Sequence, residues 1–429
     1  MNTPTAPAPW YREVTRYQWL VLIIASAGWI FDTFEGQIFN IVRVDLLTEI
    51  LRTSPDDPLV KMWGDRMNAV FLLGGTTGGV LFGSLADRLG RRPVMITTIL
   101  VYSLFSGMNY FATELWHIGT LRFLMAMGAG GEWAVAAALV AEIFPARARA
   151  NASGIFHGTS VLGTWLATAA GLAVGTHWRL AFLFGTVPAL LTLWVRASVK
   201  ESDRWEKEAV EKPDGGSGSF RALFGDARWR GRAVLGILFA MTGLATFWGV
   251  TVASQDIVRE FLLRIGEAAP AAAAKAKFAF GVVVTAGGGI GAALFGWISQ
   301  RLGRKPTFAA MLLGAAVIVP AVCYLPQTYG QMLAMLPLYG FFTFGFHGGY
   351  AVYFPELFPT RLRSTGAGVC FNGGRLFAAP VLFWLVPWLK GIPGLDLRLA
   401  VMMVAGFYLL GLVFLAFLPE TQGRPLPED

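Results

Sequence analysis

Asp32 and Glu35 interrupt an otherwise apolar stretch and stand three positions apart, which puts both carboxylates on one face if the stretch is helical. Ionisable groups are costly inside a membrane and mark places where a proton or a charged solute is handled. Two carboxylates on one face repel each other as anions, and a proton relieves that repulsion, so the pair can bind and release one. A helix starting near Tyr17 carries Asp32 about 20 Å along its axis, near or just past mid-depth, whereas Glu35 fits the outer interface equally well. Glu132, in the Gly-Gly-Glu-Trp133 run of a later apolar stretch, is a further proton or substrate candidate; a structural acid satisfied by a neighbouring helix is the alternative. Arg375 falls about 16 Å into another such stretch, where a guanidinium must face a cavity or a counter-charge, and its planar fork suits a carboxylate.

His157 and His347 lie in apolar stretches as well, where packing through hydrogen bonds and a relay role are both open. Trp133, Trp165, Trp248, Phe34, Tyr339 and Tyr350 could line a pocket, pack, or face lipid. The candidate solute-binding set is therefore Arg375 with Trp133, Trp165, Trp248, His347 and Tyr350. Neither the histidines nor Cys323 and Cys370 have metal-ligand or nucleophile–base company, so no enzyme activity, metal or cofactor is expected.

The elements that must position these groups are membrane-spanning helices. With 429 residues, 55% of them hydrophobic and 14% charged, and a mean hydropathy of +0.54, the chain is too apolar for an ordinary soluble globule. Apolar stretches at 17–44, 67–86, 93–112, 115–140, 150–175, 178–196, 232–255, 276–299, 307–325, 331–353, 364–389 and 397–418 predict about twelve spans of a hydrocarbon layer roughly 30 Å thick. A polar segment from Lys200 to Arg230, with Pro213-Asp-Gly-Gly-Ser-Gly at its middle and some helix over 201–211, separates the sixth span from the seventh. Three units follow: residues 1–199, a linker at 200–230, and residues 231–429. A net charge of +8 would suit nucleic acid if it formed one patch. It does not, because Arg12, Arg16, Arg147, Arg149, Arg361, Arg363 and the linker all fall on one side of the membrane after twelve crossings. Basic residues therefore report orientation, with both termini and the linker cytoplasmic and no nucleic-acid partner. The N-terminus lacks the pattern of a cleaved signal, so the first span is expected to stay.

Two segments occur twice. Gly83-Ser-Leu-Ala-Asp87-Arg88-Leu-Gly90-Arg91-Arg92-Pro93 returns as Gly296-Trp-Ile-Ser-Gln300-Arg301-Leu-Gly303-Arg304-Lys305-Pro306. A helix ending at glycine with positive φ and a proline opening the next predict a tight hairpin between antiparallel helices. The segment around Glu142, Phe144, Pro145, Arg147 and Arg149 returns at nearly the same displacement around Glu356, Phe358, Pro359, Arg361 and Arg363, which makes the halves copies of one six-helix unit.

The pattern Gly-x-x-x-Asp-Arg-x-Gly-Arg-Arg resembles the signature loop of the major facilitator superfamily. The Glu-x-Phe-Pro-x-Arg-x-Arg turns and Pro419-Glu420-Thr421-Gln-Gly423 are similar to those of its sugar porters and metabolite–proton symporters. This resemblance implies an all-α fold of twelve transmembrane helices in two pseudo-symmetric six-helix bundles. It also implies that Asp87 holds the outward-facing state, a latch the second copy lacks at Gln300. The segment Arg122-Phe-Leu-Met-Ala-Met-Gly128-Ala-Gly130 resembles the helix whose arginine pairs with a first-helix carboxylate in proton-coupled sugar porters, so the matching pair here is Asp32 with Arg122. Asp32, Glu35, Arg122 and Glu132 then form the proton-coupling set. Gly83, Asp87, Arg88, Gly90, Arg91, Arg92, Glu142, Arg147, Arg149, Arg301, Arg304, Glu356, Arg361 and Arg363 form the gating turns. A Gly-Arg near alanine and proline, as at Arg375, is similar to the eleventh helix of aromatic-acid symporters and organic-ion transporters. The fifth span lacks the Gly-Pro element of many drug–proton antiporters. The expectation is a monomeric, multi-pass transporter of the inner or plasma membrane. It carries a carboxylate-bearing metabolite or a sugar by proton symport, with proton-coupled export or solute sensing without flux as alternatives.

Overall fold

The computed structural model describes residues 9–55, 57–175, 177–211, 216–385, 388–389, 392–393 and 395–428, and every regular element among them is a helix. The first eight residues, residues 212–215 of the linker and part of the end of the eleventh span lie outside the described residues. In chain order the spans are α1 (Arg16–Leu51), α2 (Pro58–Leu89), α3 (Arg91–Met108), α4 (Leu115–Ile143), α5 (Ala146–Gly158 and Ser160–Val174) and α6 (Trp178–Phe184 and Pro188–Ser198). The second half repeats the series as α7 (Ala227–Arg264), α8 (Ala269–Leu302), α9 (Arg304–Tyr324), α10 (Tyr329–Thr343 and His347–Glu356), α11 (Arg363–Pro380, continued by Val381–Leu385) and α12 (Leu397–Phe417).

Eight of these are continuous and long and apolar enough to cross a membrane alone, while α5, α6 and α10 are each built from two pieces and α11 runs on into a π turn. The breaks have local causes. Pro188 has no N–H to continue α6, and Pro380 precedes the wider π turn of Val381–Leu385. In α5 the Thr159 hydroxyl donates to the Phe156 carbonyl at 2.7 Å, taking an acceptor from the helix ladder at the break.

Helix starts are set by short polar side chains that take up free amide donors. Thr15 and Gln18 form a reciprocal box at α1, and Asp57, Asp226 and Asp396 cap α2, α7 and α12. Both cationic hairpins turn on a glycine in the same conformation, Gly90 with φ 103° and ψ 157° and Gly303 with φ 104° and ψ 157°. The duplication read in the sequence therefore extends to backbone geometry, and the positive φ explains the glycine.

The halves meet along two seams, α2 against α11 and α5 against α8. Small residues permit the approach, since a Cβ on Gly79 would overlap the Asn372 side chain and one on Gly296 the Ala150 carbonyl. Large apolar side chains such as Phe111, Leu172, Val317 and Phe417 point outward and are exposed, as a lipid-facing surface requires. The linker is docked between the halves. The Gly218 amide donates to the Arg361 carbonyl at 2.8 Å, and the Gly218 carbonyl accepts from Ser84 at 2.5 Å and from Arg88 at 3.3 Å.

Candidate functional site

The cationic turns build a closed network at one end of the molecule. Arg91, at the start of α3, bonds Asp87 at 2.8 Å and Glu142 through Nε (3.3 Å) and Nη2 (2.7 Å), and also donates to the Thr360 carbonyl of the other half at 2.9 Å. All three charged groups are buried, so their charges are balanced within the network. Asp87 crosses to the second half as well, accepting from the Ser364 amide (3.1 Å), the Thr365 amide (2.8 Å) and the Thr365 hydroxyl (2.6 Å) at the start of α11. An anion against free amides at a helix N-terminus is a strong and directional contact. Arg363 adds an ion pair to Glu142 at 2.8 Å across the same boundary. Arg92 meets Glu201 through its amide, and Arg301 lies over the Trp297 ring at 3.8 Å.

Glu201 and Ser202 belong to this network and were not among the residues singled out from the sequence. Glu201 accepts from the Arg91 and Arg92 amides at 2.9 and 3.0 Å, capping α3, and Ser202 bonds Glu142. Glu420 does the same for the Arg304 and Lys305 amides, and Thr421 for Glu356. The available signal was a third repeat, Glu-Ser after α6 against Glu-Thr after α12.

A second cluster occupies the interior. Glu35 is fully buried and accepts from the Ser106 hydroxyl at 2.7 Å. Glu132 is fully buried with neither carboxylate oxygen hydrogen-bonded, and it packs against Gly28 of α1, where a Cβ would overlap it. Asp32 is buried between these levels.

The expected pair of Asp32 with Arg122 is corrected by the structure. Arg122 lies over the Phe39 ring at 3.7 Å and donates to the Met67 carbonyl and Asn68 Oδ1 at 3.3 and 3.4 Å. The reason is the offset of α1 and α4. Glu132 sits level with Gly28, and antiparallel helices advance equally per residue, so a residue ten positions earlier on α4 faces the Phe39 level, roughly 10 Å beyond Asp32. Arg122 acts instead on Glu35, and the cation that acts on Asp32 is Arg375 of α11.

Arg375 is held by Asn372 Oδ1 at 3.2 Å and lies 4.8 Å from the centre of the Phe371 ring, beside Gly75 of α2. Phe371 stacks at 4.0 Å on Trp133, whose indole N–H donates to His157 Nδ1 at 3.2 Å. Asp32, Arg375, Trp133 and His157 are thus brought into one neighbourhood that spans both halves. Trp165 is partly exposed and donates to the Gly281 carbonyl of α8 at 2.8 Å, and Trp248 sits in a π turn of α7 beside Phe247. His347 and Tyr350 are packed inside the second half, His347 between the Phe344 and Gly243 carbonyls and Tyr350 bonded to the Phe239 carbonyl. Phe34 and Tyr339 are likewise core residues.

This architecture has known counterparts. The chain is 26% identical over 422 residues to the sialic acid transporter NanX of Escherichia coli, covering 92% of this chain and 93% of that protein. It is 26% identical over 367 residues to the cis,cis-muconate transport protein of Acinetobacter baylyi, covering 82% and 84%. The fold superposes on that of the proton:xylose symporter XylE with a TM-score of 0.75 at 18% identity, covering 96% of this chain and 98% of the other. The sequence pattern of the Major Facilitator Superfamily matches residues 24–379. The chain belongs to the Major Facilitator Superfamily, as a multi-pass secondary transporter of small metabolites.

Proposed function

We propose that the protein is a symporter that couples entry of a carboxylate-bearing metabolite to a proton. The observation that carries this reading is the placement of Arg375, from the second half, where its charge acts on Asp32 from the first, with no ion pair to any described carboxylate. An arginine so placed can bind a solute carboxylate with a two-pronged hydrogen bond. While Asp32 is ionised it competes for that guanidinium, and a proton on Asp32 ends the competition. Solute anion and proton are then taken up together, which is the logic of symport. Glu132, with no donor to either oxygen, is a second place where a proton can be held. The transport of sialic acid and of muconate by relatives, both carboxylic acids, supports the solute class. The distribution of arginines supports an orientation with the closed end cytoplasmic.

The test is uptake of labelled carboxylates into proteoliposomes with an imposed pH difference. Asp32→Asn mimics the protonated acid, so it should abolish accumulation driven by the gradient while keeping solute binding and exchange. Asp32→Asn vesicles that still accumulate solute in step with the pH difference would refute the assignment and move the proton site to Glu35 or Glu132.

A further inference from the structure

The two halves repeat one network, but they do not balance it equally. In the first copy Asp87 and Glu142 together take Arg91 and Arg363. In the second copy Gln300 stands in place of the aspartate, and Glu356 is committed to Arg304 (Nε 3.1 Å, Nη2 3.0 Å) and to the Thr421 hydroxyl (2.6 Å). Arg149 is the counterpart of Arg363, yet it makes no hydrogen bond or ion pair to a described residue, and its Nε is buried without a partner. Only 3% of Arg149 is exposed. Its electrostatic surroundings are one acid, Glu356, against three further cations, Arg204, Arg304 and Arg363.

Arg149 lines a cavity of about 230 Å³ between the halves, together with Arg147, Arg304, Arg424, Gln300 and Glu356. Arg147 has its own partner in Glu13 at 2.5 Å, and Gln300 Nε2 donates to the Arg147 carbonyl at 3.1 Å. The cavity exceeds the share of several water molecules at about 30 Å³ each, which leaves room for a hydrated tetrahedral oxyanion. A guanidinium removed from water without a counter-charge is strongly disfavoured, and with Arg147 paired to Glu13 and Glu356 committed to Arg304, the buried Arg149 is left without a carboxylate among the described residues.

We infer that this cavity is an anion site for a phosphate group, whose oxygens bond Arg149 and its neighbouring arginines and replace the carboxylate that the second copy lacks at Gln300. Because Arg147 and Arg149 come from the first half and Arg304 and Arg424 from the second, an anion there clamps the halves together at this end. The group can be free phosphate or the headgroup of an anionic lipid; both present the same oxygens to the same fork.

The experiment uses the full-length protein in two settings. In delipidated detergent solution, inorganic phosphate is compared with chloride at equal ionic strength. In nanodiscs, phosphatidylcholine is compared with phosphatidylcholine containing phosphatidic acid. Wild-type protein should gain at least about 2 °C in thermal midpoint with one of the two probes, which identifies the source. Arg149→Gln should lose that shift. Gln300→Asp restores the missing carboxylate, so it should melt higher without anion and gain little from adding one. No wild-type shift with either probe, an unchanged shift in Arg149→Gln, or a full shift in Gln300→Asp would each overturn the proposal. The second variant keeps the test decisive if Arg149→Gln fails to fold.

Discussion

At the scale of single residues, the centre of the transporter turns on how a buried charge is balanced. Arg122 and Arg375 solve the same problem differently. Arg122 meets two ring faces, the Met67 carbonyl and Asn68, all within the first half, and its Nη1 is buried without a hydrogen bond among the described residues. Among the described residues Arg375 has one side-chain acceptor, Asn372, which leaves most of its five donors for the solute carboxylate of the proposed mechanism. Arg375→Lys keeps the charge and removes the fork. It should weaken binding of anionic solutes roughly tenfold or more while sparing neutral ones, by the usual strength of a charge-assisted hydrogen bond. Binding measured by isothermal titration separates the cases, and equal loss for both solute classes would make Arg375 a structural residue.

At the scale of elements, the helices are joined by carboxylates that cap their N-termini as much as by apolar packing. Glu201 caps α3 and Glu420 caps α9, each from the segment that follows the last span of its half. Burial of Glu420 opposes its charge, but the amides of Gln422, Lys305, Arg304 and Thr421 outweigh it and hold the carboxyl below its ordinary value of 4.5. A depressed value in the folded state means the carboxylate contributes stability above the ordinary glutamate range and loses it as pH falls through the folded value. Glu420→Gln should therefore lower the thermal midpoint at neutral pH, by about 1–2 kcal/mol of cap and dipole energy. The gap from wild type should close as pH drops below 4.5. A gap that is constant with pH would assign the cap to shape and not to charge.

At the scale of the whole molecule, the halves are held shut at the cationic end by Asp87, the Glu142 pairs and the docked linker, each crossing the boundary. Asp87→Asn removes the charge from three hydrogen bonds at the start of α11, about 1.5–3 kcal/mol, which is enough to turn one dominant state into a mixture. Leu89 and Leu302 end the equivalent helices of the two halves and are both exposed, so spin labels at Leu89→Cys and Leu302→Cys report the gap between them. The labelled Asp87→Asn protein should show longer distances than the labelled parent. Identical distance distributions would mean that Asp87 is not the latch.

The spans, the division into copies, the glycine turns and most members of the network were legible in the sequence, because a membrane demands long apolar runs and a duplication preserves local chemistry at a fixed displacement. Partnership was not. Resemblance in the chain pointed to Arg122 as the partner of Asp32, and the offset between α1 and α4 decided against it while the seam of α2 with α11 brought in Arg375. Arg149 and Arg363 likewise read as one motif repeated, yet only Arg363 has its carboxylate. Local pattern is a property of one helix, whereas charge balance depends on the axial offset and rotation of helices that packing alone sets.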